Sequence, residues 1–430
     1  MDRVLILHYH EIWLKGGNKN YFLSRLISAV KRATEGLPAG PLRFISDRLI
    51  LEPQDQTALP ELIARLKRVF GLAYIAVARA VPPELEAMGR VACELMDAAE
   101  PRTFAVRAKI AGGNFELNTM ELERALGQVI LDHLRARGSE VKVKLNAPQV
   151  TCQVEIITGQ ALIYTERVEG AGGLPAVTSG RLVALLSGGF DSGVAAFKMM
   201  RRGAHLTFVH FFSNASESKG SSRPVVEEIV EVLTPYQFTS RLYLIPFEPV
   251  QRLVVANAPE SFRVLLYRRL MARMARTIGA AERALGLVTG DSVSQVASQT
   301  LHNLAAVDHG LDMPIYRPLA GDDKSEIVRM ARQIGTYNIC CEPFEDCCPR
   351  FMPRSPAIFS NPAELDRAES ALDVEALVTL GLENARVRDF KFETGKVTAH
   401  DTVPHRYQKL LARRREAQAE PVPPAPDRTS

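Results

Sequence analysis

Two short stretches of the 430-residue chain carry residue types that can do chemistry. The first is Leu185-Leu186-Ser187-Gly188-Gly189-Phe190-Asp191-Ser192, between an apolar run at 182–186 and a helical pattern at 193–200. Adjacent glycines let the backbone turn tightly and aim its N–H groups at an anion. Ser187 and Ser192 add hydroxyl donors, and the following helix offers the positive end of its dipole. No Gly-Lys-Ser/Thr is present, so this is not a Walker loop. The alternative is a glycine turn in which Asp191 or Ser192 caps a helix. The second stretch runs from Cys340-Cys341 to Cys347-Cys348 and holds four of the six cysteines. A thiolate there can act as a nucleophile and carry a sulfane sulfur as a persulfide. Glu345 and Asp346 raise a neighbouring thiol's pKa unless a cation or a helix end offsets them. Adjacent cysteines without a CxxC spacing chelate one ion poorly, and no metal is expected. Reduced thiols with packing roles are the remaining alternative. Cys93 and Cys152 stand alone and read as core.

The elements around these stretches set their position. In the amino half, strands are expected at 4–8, 44–51, 73–78, 103–108, 150–156 and 161–168. Helices are expected at 21–34, 60–69, 85–98 and 120–137. The glycine-rich segment 169–181, EGAGGLPAVTSGR, reads as a linker. Beyond it, buried strands at 182–186, 206–212, 242–245 and 284–289 alternate with helices at 193–200, 225–233 and 261–278. Such alternation implies a doubly wound parallel sheet. The cysteine cluster reads as a loop after a helix bounded by an Asp323/Glu326 capping box and Gly335, placed near the carboxyl edge of the sheet. The proline-rich tail from Glu420 is expected to be disordered.

Composition bounds the rest. Hydrophobic residues make up 46% and charged residues 24%, which are globular values. The length suggests two to four domains at roughly 100–200 residues each. No stretch approaches the ~20 apolar residues of a membrane span, and the start does not read as a signal peptide. The few specialised thiols fit a cytoplasmic protein. Net charge is only +4, but residues 1–50 hold eight basic side chains against four acidic ones. A second basic cluster includes Arg102, Arg107, Lys109, Arg135, Arg137, Lys142 and Lys144. Phosphate backbones attract such surfaces; solvated faces are the alternative reading.

The strand–SGGxDS–helix arrangement resembles the PP-loop of ATP pyrophosphatases. With the other motifs in order, the chain from about residue 4 to 360 resembles the tRNA 4-thiouridine synthetases, also called tRNA sulfurtransferases. Glu11-Ile12-Trp13-Leu14-Lys15-Gly16-Gly17-Asn18 is similar to a segment of that family's ferredoxin-like domain. The stretches 104–109, 118–124 and 154–172 are similar to its THUMP domain, an RNA-binding module. Thr289-Gly290-Asp291, Gln295-Val296-Ala297-Ser298-Gln299-Thr300, Arg317-Pro318-Leu319 and Asp323-Lys324 are similar to further family motifs. The resemblance implies a ferredoxin-like and THUMP α+β amino half and a doubly wound PP-loop carboxy half. The implied domains are 1–58 ferredoxin-like, 59–168 THUMP, 169–180 linker, 181–360 PP-loop and 361–430 extension.

The resemblance also implies chemistry. ATP is expected at Leu185, Leu186, Ser187, Gly188, Gly189, Asp191, Ser192, His210, Phe211, Arg268, Gly290 and Gln299, with Mg²⁺ beside Asp191. C4 of the uridine at tRNA position eight is then adenylated. A cysteine desulfurase supplies persulfide sulfur, Cys347 matches the catalytic cysteine, and Cys348, Cys340 or Cys341 resolves the resulting disulfide. Lys15, Arg107 and Lys109 are the expected RNA contacts. His210 has the alternative of a satisfied residue at a strand end. Arg268, Arg269 and Lys324 have the alternative of pairing with acidic neighbours. The family further implies a homodimer and a secondary role in thiamin thiazole synthesis. Two departures stand out. Gly193 replaces the usual proline, which should loosen the helix start. No cysteine follows Cys348, as expected for a short form lacking a rhodanese domain. Rival readings are another PP-loop RNA modifier and an RNA-binding ATP sensor.

Overall fold

A computed structural model of the chain describes residues 3–112, 115–213, 221–343 and 356–419. The chain divides into two units between Pro175 and Ala176. In the first, apolar β1 (Arg3–His8) leads through a 3-10 segment, Glu11–Asn18, into α1 (Lys19–Ala33). Then come β2 (Leu42–Ile45), β3 (Arg48–Leu51), α2 (Leu59–Leu66) and β4 (Tyr74–Val81). They are followed by α3 (Leu85–Ala99), β5 (Thr103–Ile110), α4 (Thr119–Ala136) and β6 (Lys142–Val143). β7 (Val150–Ile157), β8 (Gln160–Tyr164) and β9 (Arg167–Glu169) close the unit.

One sheet runs β2-β3-β1-β4-β8-β7-β5-β6, with β9 also on β4. Two single-strand expectations are corrected. The stretch 44–51 is a hairpin, because Ser46 and Asp47 take φ of 47° and 61° between Ile45 and Arg48. That two-residue turn matches strand twist without the usual Asn-Gly signal. The stretch 161–168 is split into β8, paired with Arg79–Val81, and β9, paired with Tyr74–Ala76. Cys93, on α3, and Cys152, on β7, are buried in one core cluster, as core cysteines should be.

In the second unit, β10 (Arg181–Leu185), α5 (Phe190–Arg201), β11 (His205–Phe212), α6 (Ser222–Gln237) and β12 (Thr239–Pro246) alternate. Next come α7 (Glu248–Asn257), α8 (Arg263–Glu282), β13 (Leu287–Val288), α9 (Leu301–Asp308) and β14 (Ile315–Tyr316). The chain continues through α10 (Lys324–Ile334) and α11 (Tyr337–Cys340). It ends with α12 (Pro362–Glu369), α13 (Val374–Glu383), β15 (Arg386–Glu393), β16 (Lys396–Thr402) and α14 (His405–Ala419). The sheet order is β14-β13-β10-β11-β12-β15-β16, and the first five strands are parallel. The strand order reverses between β10 and β13, where doubly wound sheets open a ligand crevice at the carboxyl ends.

The described part of 361–430 is not a separate extension. β15 adds antiparallel to β12, and Leu365, Leu377, Leu382 and Val387 lie in the main core of this unit. Each such side chain contributes about 1.5–3 kcal/mol on burial, which binds the segment to the sheet. The tail from Glu420 lies outside the described residues. Among the described residues, no helix is long and apolar enough to cross a membrane.

Candidate nucleotide-binding site

The loop after β10 folds as its residues dictate. Gly189 is the N-cap of α5 and supplies no side-chain cap; its own N–H donates to Ser187 Oγ at a long 3.4 Å. The Ser187 N–H donates to Ser192 Oγ at 2.9 Å, and Ser192 Oγ lies 3.1 Å from the Ser187 carbonyl. Ser192 is buried, so its hydroxyl shapes the cradle from within. α5 starts at Phe190, which corrects the expectation that Gly193 loosens the helix start. Gly193 lies inside the helix, where an added Cβ would sit 3.4 Å from Ile229 Cγ2.

The second wall of the crevice is the turn after β13. A Cβ at Gly290 would come within 2.6 Å of the Ser192 nitrogen and 2.7 Å of the Asp191 carbonyl carbon. Only glycine lets this turn touch the start of α5. The next residue, Asp291, is buried and collects four donors. Arg268 Nη2 donates at 2.7 Å, Thr289 Oγ1 at 2.8 Å, Gln299 Nε2 at 3.1 Å and Arg317 Nε at 3.2 Å. Burial alone would raise its carboxyl, but Arg268, the Thr289 hydroxyl and Arg317 bring it below the usual carboxylate range. Arg317 is held in turn by Asp308, through two bonds of 2.7 Å. Arg268 and Gln299 therefore meet at Asp291, a residue that the motif contained but whose hub position only distant contacts create.

Asp191 faces Gln295, from the loop after β13, and Lys324, the first residue of α10. Lys324 Nζ lies 2.7 Å from Oδ1, and Gln295 Nε2 lies 3.4 Å from Oδ2. The Asp323/Glu326 capping box starts α10 and so aims Lys324. The Lys324 ammonium also sits 5.5 Å from the Phe190 ring, which stacks on Tyr337 of α11. The cysteine cluster is thus not all loop, because Cys340 is the last residue of α11. Its thiol is buried and pushed up to about 12, first by desolvation, then by Cys341 and Asp191, with Lys324 opposing. Cys341 is exposed. Cys347 and Cys348 lie outside the described residues. Past that segment the chain is anchored at Ala357, whose carbonyl accepts from Asn303 Nδ2 at 2.9 Å.

The remaining expected nucleotide residues divide by role. Leu185 and Leu186 lead into the loop, and Phe211 is buried against Phe247. The His210 ring is fully engaged. Its Nδ1 lies 2.9 Å from the Leu186 carbonyl, so that nitrogen is the donor, and Nε2 lies 2.9 Å from Ser222 Oγ. Its side chain supports the loop from behind. Arg269 is a structural anchor, bound to Asp366 at 2.7 Å and Glu369 at 3.0 Å. Among the described residues, Asp191 is the loop carboxylate that could hold Mg²⁺, and one carboxylate with phosphate oxygens and water is a usual Mg²⁺ set. Among the described residues, no group of three or more His, Cys, Asp or Glu is arranged to hold a metal.

In the first unit, the three expected RNA contacts are not equivalent. Lys15 lies 5.0 Å from the Phe22 ring, and Lys109 is exposed at a cavity of about 190 Å³. Arg107 is committed internally, donating to the Leu145 carbonyl at 2.7 Å and the Val106 carbonyl at 3.2 Å. Sequence reasoning missed the buried network beside that cavity. Arg48 Nε donates to Glu155 at 2.5 Å and the Tyr164 hydroxyl to the same carboxylate at 2.8 Å.

Residues 4–76 match the ThiI ferredoxin-like domain, residues 84–166 the THUMP domain, and residues 177–374 the thiamine biosynthesis protein ThiI. A probable tRNA sulfurtransferase of Thermus thermophilus is 40% identical over 388 residues, covering 90% of this chain and 94% of its own. One of Moorella thermoacetica is 38% identical over 383 residues, covering 89% and 96%. A crystal structure of a 4-thiouridine synthetase–RNA complex with bound ATP is 32% identical with a TM-score of 0.78. It matches over 90% of this chain and 99% of that one.

Proposed function

The chain belongs to the tRNA sulfurtransferase family, and from that premise we propose that it converts the uridine at tRNA position eight to 4-thiouridine. The observation that carries this reading is the switch-point crevice, where the uncapped start of α5 and the turn at Gly290 touch. ATP phosphates take the backbone N–H groups of Gly188, Gly189 and Phe190, with Leu185, Leu186 and Phe211 beside the nucleoside. Ser187, Ser192, His210, Arg268 and Gln299 hold the loop and its facing turn in shape. Mg²⁺ held by Asp191 neutralises phosphate charge when bound.

Uridine O4 attacks the α-phosphorus of ATP, forming an O–P bond while the bond to pyrophosphate breaks. An amide-like oxygen thereby becomes a good leaving group, and one hard substitution becomes two easier ones. A cysteine desulfurase loads Cys347 with a terminal sulfur. That sulfur attacks C4, AMP leaves with the former O4, and a C4–S–S–Cys347 disulfide remains. A second thiol attacks the Cys347 sulfur, releasing 4-thiouridine and leaving a protein disulfide that a dithiol reductant must reopen. The stacking of Tyr337 on Phe190 and the coupling of Cys340 to Asp191 support a cysteine segment beside the loop. The THUMP-matching unit and exposed Lys109 support RNA binding. The homodimer, the cytoplasmic setting and a contribution to thiamin thiazole sulfur follow family membership.

Reconstitution with tRNA, Mg-ATP, a desulfurase and dithiothreitol tests the reading. Wild type should release pyrophosphate only with tRNA and yield 4-thiouridine. Cys347→Ala should keep pyrophosphate release but form no 4-thiouridine, and Asp191→Ala should lose both. Tight ATP binding with no tRNA-dependent pyrophosphate would sink the proposal.

A further inference from the structure

The second unit carries a feature that the nucleotide site leaves unused. α14 and the carboxyl end of α8 border a groove of about 790 Å³. Arg406, Lys409 and Arg413 recur on α14 at spacings of three and four, which places them on one helix face. They are exposed, and Arg283 lines the groove from the opposite side. Among the described residues none of these four cations has an ion pair, whereas Arg276 and Arg414 in the same groove are held by Asp312 and Glu375. Arg283 occupies the left-handed cap of α8 at φ 58°, a place that glycine fills at less cost. The floor is small, formed by Thr277, Ala280 and Ala281.

We infer that this groove is a second tRNA contact surface, binding the phosphate backbone; the inference rests on the tRNA-directed reading above. Four unneutralised cations repel one another until a polyanion releases their counterions. A folded protein partner fits less well, because protein interfaces centre on aromatic and apolar anchors. Here Leu410 is the groove's largest apolar side chain, and no aromatic residue lines it. A backbone contact of this kind fixes position without reading sequence, which suits an enzyme that must hold folded RNA while one uridine is treated.

The test uses the full chain and tRNA transcript at several salt concentrations. A variant combining Arg283→Gln, Arg406→Gln, Lys409→Gln and Arg413→Gln is compared with wild type. A control with Arg201→Gln and Lys396→Gln removes exposed cations elsewhere on the unit. The groove variant should bind tRNA at least about tenfold more weakly at low salt, with the slope of log K against log salt reduced by roughly 2–4. Its melting temperature and ATP affinity should equal wild type. Unchanged affinity and slope overturn the inference, as does an equal loss in the control. Intact tRNA binding with lost sulfur loading from the desulfurase also overturns it, by making the groove a protein-docking surface. Failure of wild type itself to bind tRNA overturns the proposed function as well, and so is told apart from failure of the groove alone.

Discussion

Gly290→Ala is the sharpest probe of the crevice. The new methyl would lie 2.6 Å from the Ser192 nitrogen, 2.7 Å from the Asp191 carbonyl carbon and 2.8 Å from the Ser192 Cα. All three are backbone atoms, so no side chain can swing away. To reach the 3.4 Å of ordinary contact, the start of α5 must retreat by about 0.8 Å. Overpacking of this kind costs roughly 1–3 kcal/mol. For a unit of this size that lowers the melting temperature by about 2–4 °C per kcal/mol, leaving the protein folded. The catalytic effect should be larger than the stability effect, because a misplacement near 1 Å can cost about a hundredfold. We expect tRNA-dependent pyrophosphate release to fall about 10–100-fold in kcat/KM, with a raised KM for ATP. Gly193→Ala is the matched control. Its methyl would meet only Ile229 Cγ2, at 3.4 Å, inside a helix. Alanine gains up to about 1 kcal/mol of helix propensity there, so stability and rate should hold or improve. Equal ATP affinity and pyrophosphate release in Gly290→Ala and wild type would refute the claim that the two loops must touch.

Arg48→Met should destabilise the first unit by about 3–5 kcal/mol in urea unfolding, because it removes the guanidinium partner of the buried Glu155 carboxylate and leaves it only His8 and the Tyr164 hydroxyl. Adding Glu155→Leu to Arg48→Met should recover part of that loss. Glu155 is held down to about 2 against an ordinary 4.5, because the bonds and charges of His8 and Arg48 outweigh burial. Its folded pKa is depressed, so its contribution is complete above pH 4.5 and is lost as pH falls from about 4.5 towards 2. Thermal melts across that window should show the loss, and Glu155→Gln should flatten it. With iodoacetamide near pH 8, exposed Cys341 should be alkylated well before buried Cys340, as read by peptide mass spectrometry; the opposite order would refute the thiol environments described. Lys324→Met removes the cation 2.7 Å from Asp191 and should lower pyrophosphate release at least about tenfold while leaving tRNA affinity unchanged.

The sequence is most legible where structure is local. The apolar run of β10, the double glycine and the start of α5 are contiguous, so a strand–turn–helix anion cradle follows from residue order. The Asp323/Glu326 capping box also forms within four residues, as its spacing requires. Asp291 is different: its donors come from positions 268, 289, 299 and 317, and no window of sequence contains them together. The hairpin at 44–51 was hidden because a serine and an aspartate take the left-handed turn positions where glycine or asparagine is the usual signal. β15 was readable and missed. In RVRDFKFE, Val387, Phe390 and Phe392 are buried beside exposed or half-buried polar residues, a pattern that seats an antiparallel strand between β12 and the edge strand β16.

The side chains of the proposed nucleotide site turn mostly towards one another. Ser192 closes on Ser187, His210 on Leu186 and Ser222, and Arg268 and Gln299 on Asp291. A phosphate entering this crevice therefore meets backbone N–H groups and one carboxylate–lysine pair, while the conspicuous polar residues form the frame behind them. That arrangement costs little reorganisation when substrate binds, because fixed dipoles are already aimed. It also orders the expected mutational effects. Under the proposed ATP-dependent reaction, substitutions at Asp191 and Lys324 should act on charge next to the phosphates. Substitutions at His210, Arg268 or Gln299 act by letting the frame move, and their damage should scale with displacement of the Gly188–Gly189 turn rather than with lost charge.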